Sequence, residues 1–332
     1  MKVLITAPYD EESINELNEC GYEVFYKPWK DRGQPYNGEE MLELINKKNI
    51  EGVIAEIDEI NASVIENASS LKFIGICRAN PVNVNIEAAN KKNIPVFNTP
   101  ARNAQAVTEL LIGNLISFYR NIISSNKWIR EDNWKETNTR PYLKFRGNEV
   151  AGKKVGFVGF GAVGQTTANI LKNFPADIQF YDPFVDVDEV DHRYKKVDLD
   201  VLFRTSDVIS IHLPVNDSTK NLVNKDLITK MKADAVFINT ARAAVVDYNS
   251  LFEVLSENKI RGAILDVFDN EPPEQLEREL ISLPNVLSTP HIAGASYEVE
   301  NHHSRIMNEN LYKWFEYKEG LNIFNQNNIV LK

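Results

Sequence analysis

The stretch that decides the fold is Val155-Gly156-Phe157-Val158-Gly159-Phe160-Gly161-Ala162-Val163-Gly164, in which an apolar strand runs into the pattern G-x-G-x-x-G. Gly159 permits a tight turn, Gly161 lets the backbone approach a pyrophosphate, and Gly164 lets the next helix pack closely on the strand. Because a helix N-terminus attracts phosphate, turn and helix together favour a dinucleotide. Asp182 ends the following strand, 18 residues after Gly164. A carboxylate at that spacing bonds the adenosine ribose hydroxyls and repels a 2′-phosphate, which predicts NAD in preference to NADP.

Short apolar runs alternate with helix-length segments downstream of this stretch. Six strands with helical crossovers is the count of a complete dinucleotide-binding, doubly wound sheet, and this is the fold that the pattern predicts. The six predicted strands are Lys154–Val158, Ile178–Tyr181, Val208–Ile211, Ala235–Ile238, Ala263–Asp266 and Val286–Ser288.

The first hundred residues show the same alternation, which predicts a second parallel sheet with helices on both faces. A long helix from Asn103 to about Ile123 follows, and residues 128–152 are predicted to form an irregular arm. The predicted strands are Lys2–Thr6, Glu51–Ala55, Phe73–Cys77 and 95–98, and the predicted helices are Glu12–Asn18, Ala62–Asn67 and Ile86–Lys92.

Two domains are expected from the 332 residues, at roughly 150 residues per domain. The last helix, predicted over residues 298–317, finds no strand partner in the second series, so we expect it to return to the first. The sequence therefore predicts a discontinuous, flavodoxin-like substrate domain of residues 1–102 and 296–332. A Rossmann domain that binds NAD, residues 103–295, is inserted in it, and the cleft between the domains is the natural ligand site.

Composition excludes several classes of protein. Hydrophobic residues make up 43% and charged residues 25%, which supports real cores and excludes disorder of the whole chain. A net charge of −10 argues against nucleic-acid binding, and two cysteines, Cys20 and Cys77, cannot form a disulfide scaffold or a Cys-rich zinc site. No apolar run approaches the ~18 residues of a membrane span, and the apolar start is too short for a signal peptide. We expect a cytoplasmic α/β protein with no membrane or nucleic-acid partner.

Three ionisable residues follow three of the predicted strands. Arg242 follows the fourth strand of the second series, Glu271 lies just beyond the fifth, and His291 follows the sixth. Ligands bind outside the carboxyl ends of parallel strands, so these side chains are expected to converge. Arginine binds a carboxylate, histidine exchanges a proton near neutral pH, and a glutamate orients the imidazole and keeps it protonated. Singly, Arg242 could cap a helix, Glu271 could be a solvated acid and His291 a buried structural histidine, but their joint placement favours catalysis.

Three other histidines are predicted to have no catalytic role. His212 follows the third strand of the second series, where it is structural or lines the cofactor loop. His302 and His303 lie on the last helix, in a setting more typical of surface or core residues than of metal ligands. No H-E-x-x-H motif or Cys/His spacing supports a metal site, so no metal is predicted.

Six segments resemble the signature blocks of the D-isomer-specific 2-hydroxyacid dehydrogenases, in that family's order and spacing. They are G-F-G-A-V-G-Q, Y-D-P, H-L-P, I-N-T-A-R, L-D-V-F-D-N-E-P and T-P-H-I-A-G, and the N-terminal block I-E-A-A-N-K-K-N-I-P-V-F-N-T-P is similar as well. The resemblance implies that Arg242 binds the substrate carboxylate, that His291 is the acid–base group and that Glu271 is its partner. It also implies that Asp266 lies near the nicotinamide amide. Around the cofactor it places Ala162, Val163, Asp182, Pro214, Thr240 and Ala241, and Leu213 of the H-L-P block is expected there too.

Two departures from the family's pattern concern the substrate side. Ala243 stands where the family usually has a glycine after the arginine, so that turn is expected to differ slightly. The substrate loop, usually glycine-rich, here reads Arg78-Ala79-Asn80-Pro81-Val82-Asn83-Val84-Asn85. By resemblance Arg78, Ala79 and Asn80 contact the substrate. Arg78 adds a positive charge there, unless it is a surface arginine that pairs with a local acid.

The predicted function is hydride transfer between NAD and C2 of a D-2-hydroxy acid or 2-oxo acid, with 3-phosphoglycerate as one candidate. Reduction of glyoxylate or hydroxypyruvate is the enzymatic alternative. A non-catalytic, NAD-sensing corepressor-like protein on the same fold is the alternative of another class. Formate-type oxidation is disfavoured because Glu271 keeps the carboxylate expected of hydroxyacid enzymes. The apolar helix and the arm with Trp128 and Trp134 would leave an exposed patch on a lone subunit, and the resemblance implies a homodimer.

Overall fold

Two separate parallel sheets, one of five strands and one of seven, organise the chain. The computed structural model describes residues 1–136, 140–317, 319 and 321–329. The five-stranded sheet lies in a unit formed by Met1–Asn103 and Ser296–Lys332, and the seven-stranded sheet lies in the unit Ala104–Ala295. The predicted fold class, two doubly wound parallel α/β sheets, is confirmed. That the first unit binds the substrate stays a prediction.

The first unit has a flavodoxin-like sheet. Its strands are β1 (Lys2–Ile5), β2 (Glu23–Tyr26), β3 (Gly52–Ala55), β4 (Phe73–Ile76) and β5 (Val96–Asn98), and its first helices are α1 (Glu11–Glu19), α2 (Trp29–Arg32), α3 (Gly38–Lys48), α4 (Ala62–Asn67) and α5 (Ile86–Lys91). The strands lie in the order β2-β1-β3-β4-β5, which is the order of a flavodoxin-like sheet with its switch between β1 and β3.

The second unit has a Rossmann-type sheet. It contains α6 (Ala104–Tyr119), α7 (Ile122–Arg130), α8 (Pro141–Lys144), β6 (Lys154–Val158), α9 (Ala162–Leu171), β7 (Asp177–Tyr181), β8 (Lys195–Lys196), α10 (Leu199–Thr205), β9 (Val208–Ile211), α11 (Lys225–Ile228), β10 (Val236–Asn239), α12 (Tyr248–Ser256), β11 (Gly262–Leu265), α13 (Gln275–Ser282) and β12 (Val286–Ser288). The strand order is β12-β11-β10-β9-β6-β7-β8, so the direction of winding reverses between β6 and β9. That is the switch point at which such sheets bind ligands.

The strand ends of the second sheet are in register. Val158 pairs with Ile211, Ile211 with Asn239, Asn239 with Leu265, and Leu265 with Ser288. Because these parallel strands stop at the same level, the residues that follow them emerge at one carboxyl edge. This register is what brings distant segments of the sequence to one site.

The seven-stranded sheet is buried on both faces. Phe237 of β10 enters one hydrophobic cluster, whereas its neighbours Val236 and Ile238 enter another, and all three are 0% exposed. Burial of a side chain of this size contributes about 1.5–3 kcal/mol. Strands covered on both faces explain the continuous apolar runs in the sequence, and they make the sheet a firm support for the turns at its edge.

The last helix packs against the elements of the first unit. This helix, α14 (Glu298–Tyr312), continues as a π-helical turn over Lys313–Tyr317 and contacts α1 and β5. Within the part of the chain that the structure describes, no helix has both the length and the apolar character needed to cross a bilayer.

Several elements of the first unit were not predicted. Strand β2 is an edge strand of four residues whose side chains are at most half-buried, so its apolar signal is short. Helix α3 begins with a capping box between Asn37 and Glu40, a pattern that the sequence does contain. The sequence therefore contains a signal for α3, whereas the signal for β2 is too short to indicate a strand.

The predicted helix over residues 103–123 is wrong at its C-terminal end. Helix α6 ends at Tyr119, and Asn121, with a left-handed φ of 54°, turns the chain into α7. Asparagine tolerates this conformation better than most residues, which is why the break falls there. The predicted irregular arm contains the end of α7, a 3₁₀ turn at Asn133–Glu136 and α8, while residues 137–139 lie outside the described residues.

Candidate active site

A histidine–glutamate pair stands at the carboxyl edge of the seven-stranded sheet. Nδ1 of His291 lies 2.7 Å from Oε2 of Glu271, and the backbone N–H of Phe268 donates to the other carboxylate oxygen at 3.1 Å. Because a carboxylate only accepts, Nδ1 carries the hydrogen, and Nε2 is the nitrogen left for a reacting group. The His291 side chain is 49% exposed and that of Glu271 38%, so the pair is accessible to a ligand.

The Glu271 carboxyl group is ionised at neutral pH. Burial raises its pKa, but the hydrogen bonds from His291 and from the Phe268 N–H, with the nearby charge of Arg242, outweigh burial and lower the pKa below its usual value. Since the folded-state pKa is depressed, this group stabilises the fold above its ordinary pKa. The contribution is lost as the pH falls through the lowered value. An anion beside the imidazole suits a histidine that exchanges protons.

A buried carboxylate holds the turn that carries His291. Asp266 is 1% exposed and accepts hydrogen bonds from the Thr289 hydroxyl at 2.5 Å, the Ile292 N–H at 2.9 Å and the Ala293 N–H at 2.8 Å. These bonds bracket His291, whose backbone is left-handed with a φ of 53°. A non-glycine residue in that region needs such support. No pattern in the sequence indicates this set of hydrogen bonds, the Asp266 clasp, and the predicted contact of Asp266 with the nicotinamide amide stays a prediction.

Arg242 shares a cavity with the pair. It follows β10, is exposed, and donates from Nη1 to the carbonyl of Ala241 at 2.7 Å. Ala243 begins a 3₁₀ turn without a positive φ, so the departure from glycine leaves this turn unstrained. The structure thus brings Arg242, Glu271 and His291 to one cavity of about 390 Å³. Its lining consists of Val215, Arg242, Ala243, Ala244, Val267, Phe268, Asp269, Glu271 and His291.

A second, more apolar cavity adjoins the first. It has a volume of about 440 Å³ and also touches Phe268, Glu271 and His291. The rest of its wall is mainly proline and aliphatic, including Pro272 and Ile281. Apolar walls keep water away from one side of the pair, and charge interactions are stronger where water is excluded.

The glycine turn leaves space where a phosphate would have to approach. A Cβ on Gly159, whose φ is +89°, would lie 2.7 Å from the His212 carbonyl, and one on Gly164 would lie 2.9 Å from the Gly159 carbonyl. A Cβ on Gly161, by contrast, would meet nothing within 4 Å. Gly159 and Gly164 are therefore required by packing, while Gly161 borders open space at the N-terminus of α9. Ala162 and Val163 form the first turn of α9.

Asp182 and Thr240 supply polar atoms at the same edge. Asp182 follows β7 and accepts from the backbone N–H groups of Phe160 at 2.8 Å and Phe184 at 2.9 Å. This ties Asp182 to the glycine turn and leaves lone pairs for ribose hydroxyls. The Thr240 hydroxyl oxygen is buried with no hydrogen-bond partner among the described residues, as expected of a group that awaits a ligand. Leu213 is buried and Pro214 exposed after β9, while Ala241 is half-buried after β10. These residues fit a dinucleotide.

His212, His302 and His303 are held by structural contacts. Burial lowers the pKa of His212 to about 3, and its Nε2 lies 2.8 Å from the Ser210 hydroxyl. In the first unit, His303 is buried between the Arg102 guanidinium and the Pro8 carbonyl, and His302 contacts the Arg102 carbonyl. Among the described residues, no group of three or more histidine, cysteine or acidic side chains is placed to hold a metal.

The predicted substrate loop follows β4 at the carboxyl edge of the other sheet. Arg78, Ala79 and Asn80 are all exposed. The Arg78 side chain forms no ion pair with any residue in the described ranges, whereas Arg102 is 2.7 Å from Glu56 and Lys30 is 2.6 Å from Glu300. The local acid that would make Arg78 a paired surface residue is not found within the described part of this unit.

A match to a family model shows to which family the chain belongs. Residues 112–293, more than half of the chain, match the model of the D-isomer specific 2-hydroxyacid dehydrogenase NAD-binding domain. This chain belongs to the D-isomer-specific 2-hydroxyacid dehydrogenases. The matched range contains the glycine turn, Asp182 and the set Arg242, Glu271 and His291. As a member of the family, the chain is an NAD-dependent oxidoreductase of 2-hydroxy acids.

Several relatives extend the match beyond the NAD-binding domain of this 2-hydroxyacid dehydrogenase. The Bacillus subtilis protein named "putative 2-hydroxyacid dehydrogenase YoaD" is 48% identical over 95% of this chain and 91% of its own length. The hydroxypyruvate reductase of Thermotoga maritima is 33% identical over 83% of this chain and 87% of its own length. The D-3-phosphoglycerate dehydrogenase of Methanocaldococcus jannaschii is 31% identical over 99% of this chain, which covers 60% of that longer protein.

A solved structure supports the fold of the dehydrogenase over nearly its full length. An acyclic imino acid reductase, solved in complex with NADPH and D-Arg, superposes with a TM-score of 0.77 and 28% identity. The superposition covers 98% of this chain and 100% of that one.

Proposed function

We propose that Arg242, Glu271 and His291 are the catalytic set of this dehydrogenase. The observation that carries the proposal is the 2.7 Å contact between His291 and Glu271 in a cavity that Arg242 also lines. No other described group in that cavity combines a proton-exchanging ring with an ionised partner. A guanidinium beside them is the natural site for a substrate carboxylate.

The proposed mechanism assigns one task to each side chain. The nicotinamide, when bound, supplies or accepts the hydride. In the direction of oxidation, His291 accepts the proton of the C2 hydroxyl at Nε2, and in reduction it donates that proton to the 2-oxo oxygen. Glu271 orients the ring through Nδ1 and stabilises the imidazolium. Arg242 binds the carboxylate next to C2, which positions the reacting carbon and polarises its oxygen.

The proposed cofactor site lies along the carboxyl edge of the second sheet. Gly159, Gly161 and Gly164 would admit the pyrophosphate to the N-terminus of α9, with Ala162 and Val163 in the first turn. Asp182 would bond the ribose hydroxyls, which favours NAD over NADP. The other proposed contacts come from Leu213, Pro214, Thr240, Ala241 and Asp266.

For the substrate we propose a 2-hydroxy acid with a distal anionic group, such as 3-phosphoglycerate. Arg78 supports this because it leaves the carboxyl end of β4 with no carboxylate partner in the described part of the chain. Arg242 already serves the substrate carboxylate, so a second cation suits a phosphate. Ala79 and Asn80 of the same loop are proposed to line the substrate. Glyoxylate and hydroxypyruvate, which lack such a group, are the alternatives.

The test of the substrate compares a phosphorylated and an unphosphorylated 2-oxo acid, 3-phosphohydroxypyruvate and hydroxypyruvate, with NADH. Loss of a charge-assisted contact costs about 1.5–3 kcal/mol, so Arg78→Ala should lower kcat/KM roughly ten- to hundredfold for the phosphorylated compound only. Lys27→Ala is the matched control, because Lys27 is another exposed cation that directly follows a strand of the same sheet, β2. Equal effects of Arg78→Ala on both compounds would remove Arg78 from substrate choice.

The alternative of another class is a protein that binds NAD without turnover. The complete Arg242–Glu271–His291 set argues against it, because a sensor has no need of a proton-exchanging pair. Turnover of any 2-oxo acid with NADH would exclude the sensor. Binding of NADH without turnover across glyoxylate, hydroxypyruvate and 3-phosphohydroxypyruvate would favour it.

We also propose a homodimer that works in the cytoplasm without nucleic acid. The acidic net charge of −10 and the two unpaired cysteines support the second part. The dimer is supported by exposed apolar side chains on and after α7. They are Ile122, Ile123, Ile129, Trp134, Tyr142 and Leu143.

A further inference from the structure

A buried tyrosine hydroxyl lies between the two turns that carry the proposed catalytic residues. Tyr248 begins α12 and is 2% exposed, and its hydroxyl donates to the Val267 carbonyl at 2.6 Å. Val267 comes immediately before Phe268, whose N–H holds the Glu271 carboxylate at 3.1 Å. Tyr248 is therefore bonded to the base of the turn that presents Glu271.

The same hydroxyl is connected to the turn of Arg242 through Asn239. The Asn239 side chain is fully buried at the end of β10, and its Nδ2 reaches both the Tyr248 hydroxyl at 3.3 Å and the Arg242 carbonyl at 3.0 Å. Its Oδ1 accepts from the Ala241 N–H at 3.0 Å. The side-chain amide of Asn239 thus bonds the backbone on both sides of the Ala241–Arg242 peptide bond and also donates to the Tyr248 hydroxyl.

We propose that Tyr248 is a positioning residue that sets the spacing between the Arg242 turn and the Glu271–His291 pair. The inference rests on the proposed function, because it gives Tyr248 a role only if those residues act on one substrate. Arg242 binds the substrate at its carboxylate, and His291 meets the oxygen on the adjacent carbon. Two groups that act on neighbouring atoms need a fixed separation, and a shift of about 1 Å costs as much as a hundredfold in rate.

Among the described residues, no backbone hydrogen bond of the sheet makes this connection at the level of the two turns. The backbone bond from the Asp266 N–H to the Asn239 carbonyl, 3.0 Å long, joins the strands just before the turns begin. Beyond that point, the hydrogen bonds that link the two turns within the described ranges run through Asn239 and Tyr248. The ring of Tyr248 also packs in the hydrophobic cluster of that face, so the hydroxyl is held by burial of the ring.

Tyr248→Phe removes the hydroxyl and keeps the buried ring. The matched control is Tyr119→Phe, because Tyr119 is as deeply buried in the same unit at 1% exposed, yet its hydroxyl has no hydrogen-bond partner in the described ranges. Both variants and His291→Asn are assayed with NADH and the best 2-oxo acid. The measurements are kcat, KM for each substrate, the pH dependence of kcat/KM, the NADH dissociation constant and Tm.

The proposal predicts that Tyr248→Phe raises KM for the 2-oxo acid and lowers kcat, so that kcat/KM falls about ten- to hundredfold. The pH dependence of kcat/KM should also change in this variant, while its NADH dissociation constant should equal that of Tyr119→Phe. Wild-type kinetics in Tyr248→Phe would overturn the proposal. So would a lower Tm with an unchanged KM and pH profile, because that result describes a residue needed only for folding.

Two further variants cover the case in which Tyr248→Phe does not fold and separate this inference from the proposed function. If Tyr248→Phe does not fold, Asn239→Asp takes its place, because it keeps the volume and the contact with Ala241 but puts an acceptor next to the Arg242 carbonyl. The same kinetic criteria then support or overturn the proposal. His291→Asn separates this inference from the proposed function. Wild-type kcat in His291→Asn contradicts the function itself, whereas an inactive His291→Asn beside a fully active Tyr248→Phe contradicts the positioning role alone.

Discussion

At the scale of single residues, the Glu271 carboxylate orients the His291 ring and faces it with a negative charge. Its lowered pKa keeps it ionised at neutral pH, and at 2.7 Å it stabilises the imidazolium form of His291. Reduction of a 2-oxo acid needs that form, because the ring must donate a proton. The activity in this direction is therefore expected to depend on an ionised Glu271 and to fall at acid pH, where Glu271 takes up a proton through its lowered pKa.

Glu271→Gln should change this pH profile. Without the anion the imidazolium loses its stabilisation, so kcat/KM for reduction should fall at neutral pH, and the acid limb that belongs to Glu271 should disappear. The measurement is a pH profile with NADH and a 2-oxo acid. Glu279→Gln is the control, because it removes an equal charge from the exposed surface of α13, where the Glu279 carboxylate accepts from Gln275 alone among the described residues. An unmoved profile in Glu271→Gln would contradict the role of Glu271.

Some of these residues could be predicted from the sequence and others could not. Arg242, Glu271 and His291 were predictable because each follows an apolar run, and parallel strands in register bring their ends to one edge. The Asp266 clasp and the Tyr248 hydroxyl were not predictable. Several of their hydrogen-bond partners are backbone groups, such as the Ile292 N–H and the Val267 carbonyl. Because other residue types supply the same backbone groups, the sequence does not indicate these bonds.

At the scale of elements, the β6–glycine turn–α9–β7 segment is expected to distinguish NAD from NADP. The Asp182 carboxylate is bonded to the Phe160 N–H at 2.8 Å, so the acid after β7 is held against the glycine turn itself. A fixed negative charge there repels a 2′-phosphate and offers it no donor. We therefore expect this β-α-β element to determine cofactor choice.

A preference for NADH is the expected result. NADH should give a higher kcat/KM than NADPH with the same 2-oxo acid, and Asp182→Ala should narrow the ratio by improving NADPH. Asp186→Ala is the control, because Asp186 is an exposed acid four residues further on that caps the short turn at Asp188. A preference of the wild-type protein for NADPH would contradict the role of Asp182.

The elements that were predicted best are those covered on both faces. Strands β6 and β9 have the predicted bounds, because a continuous apolar run between polar segments has few other uses in a soluble chain. The edge strand β12 also has its predicted bounds, although its side chains are only half-buried. Edge strands β2 and β8 were missed because their side chains are partly or fully exposed. The break at Asn121 depends on one residue in a left-handed conformation, which apolar periodicity does not detect.

At the scale of the whole molecule, apolar side chains on and after α7 are exposed to solvent in the single subunit. Ile123 is 55% exposed, Ile129 50% and Trp134 60%, and side chains of this kind in one region mark an interface. The sequence predicted this surface from the apolar character of the helix and arm. It could not specify the proposed interface, because the contacts of such an interface belong to a second chain.

Light scattering at micromolar concentration should give the mass of a dimer. Ile123→Glu places a charge in the centre of the proposed interface and should shift the protein towards the monomer. Val187→Glu is the control, because Val187 is a similarly exposed aliphatic residue, at 47%, outside the patch. A monomeric wild-type protein would contradict the dimer, and so would an Ile123→Glu variant that dimerises like the wild type.

The central claim is that His291 transfers the proton, and its replacement by asparagine tests this most directly. Asparagine keeps a polar side chain but cannot exchange a proton at neutral pH, so kcat should fall by about 10²–10⁴-fold. The NADH dissociation constant, measured by fluorescence on the same preparation, should stay close to that of the wild type, because His291 lies outside the glycine turn and the Asp182 site. A His291→Asn variant with wild-type kcat would contradict the mechanism.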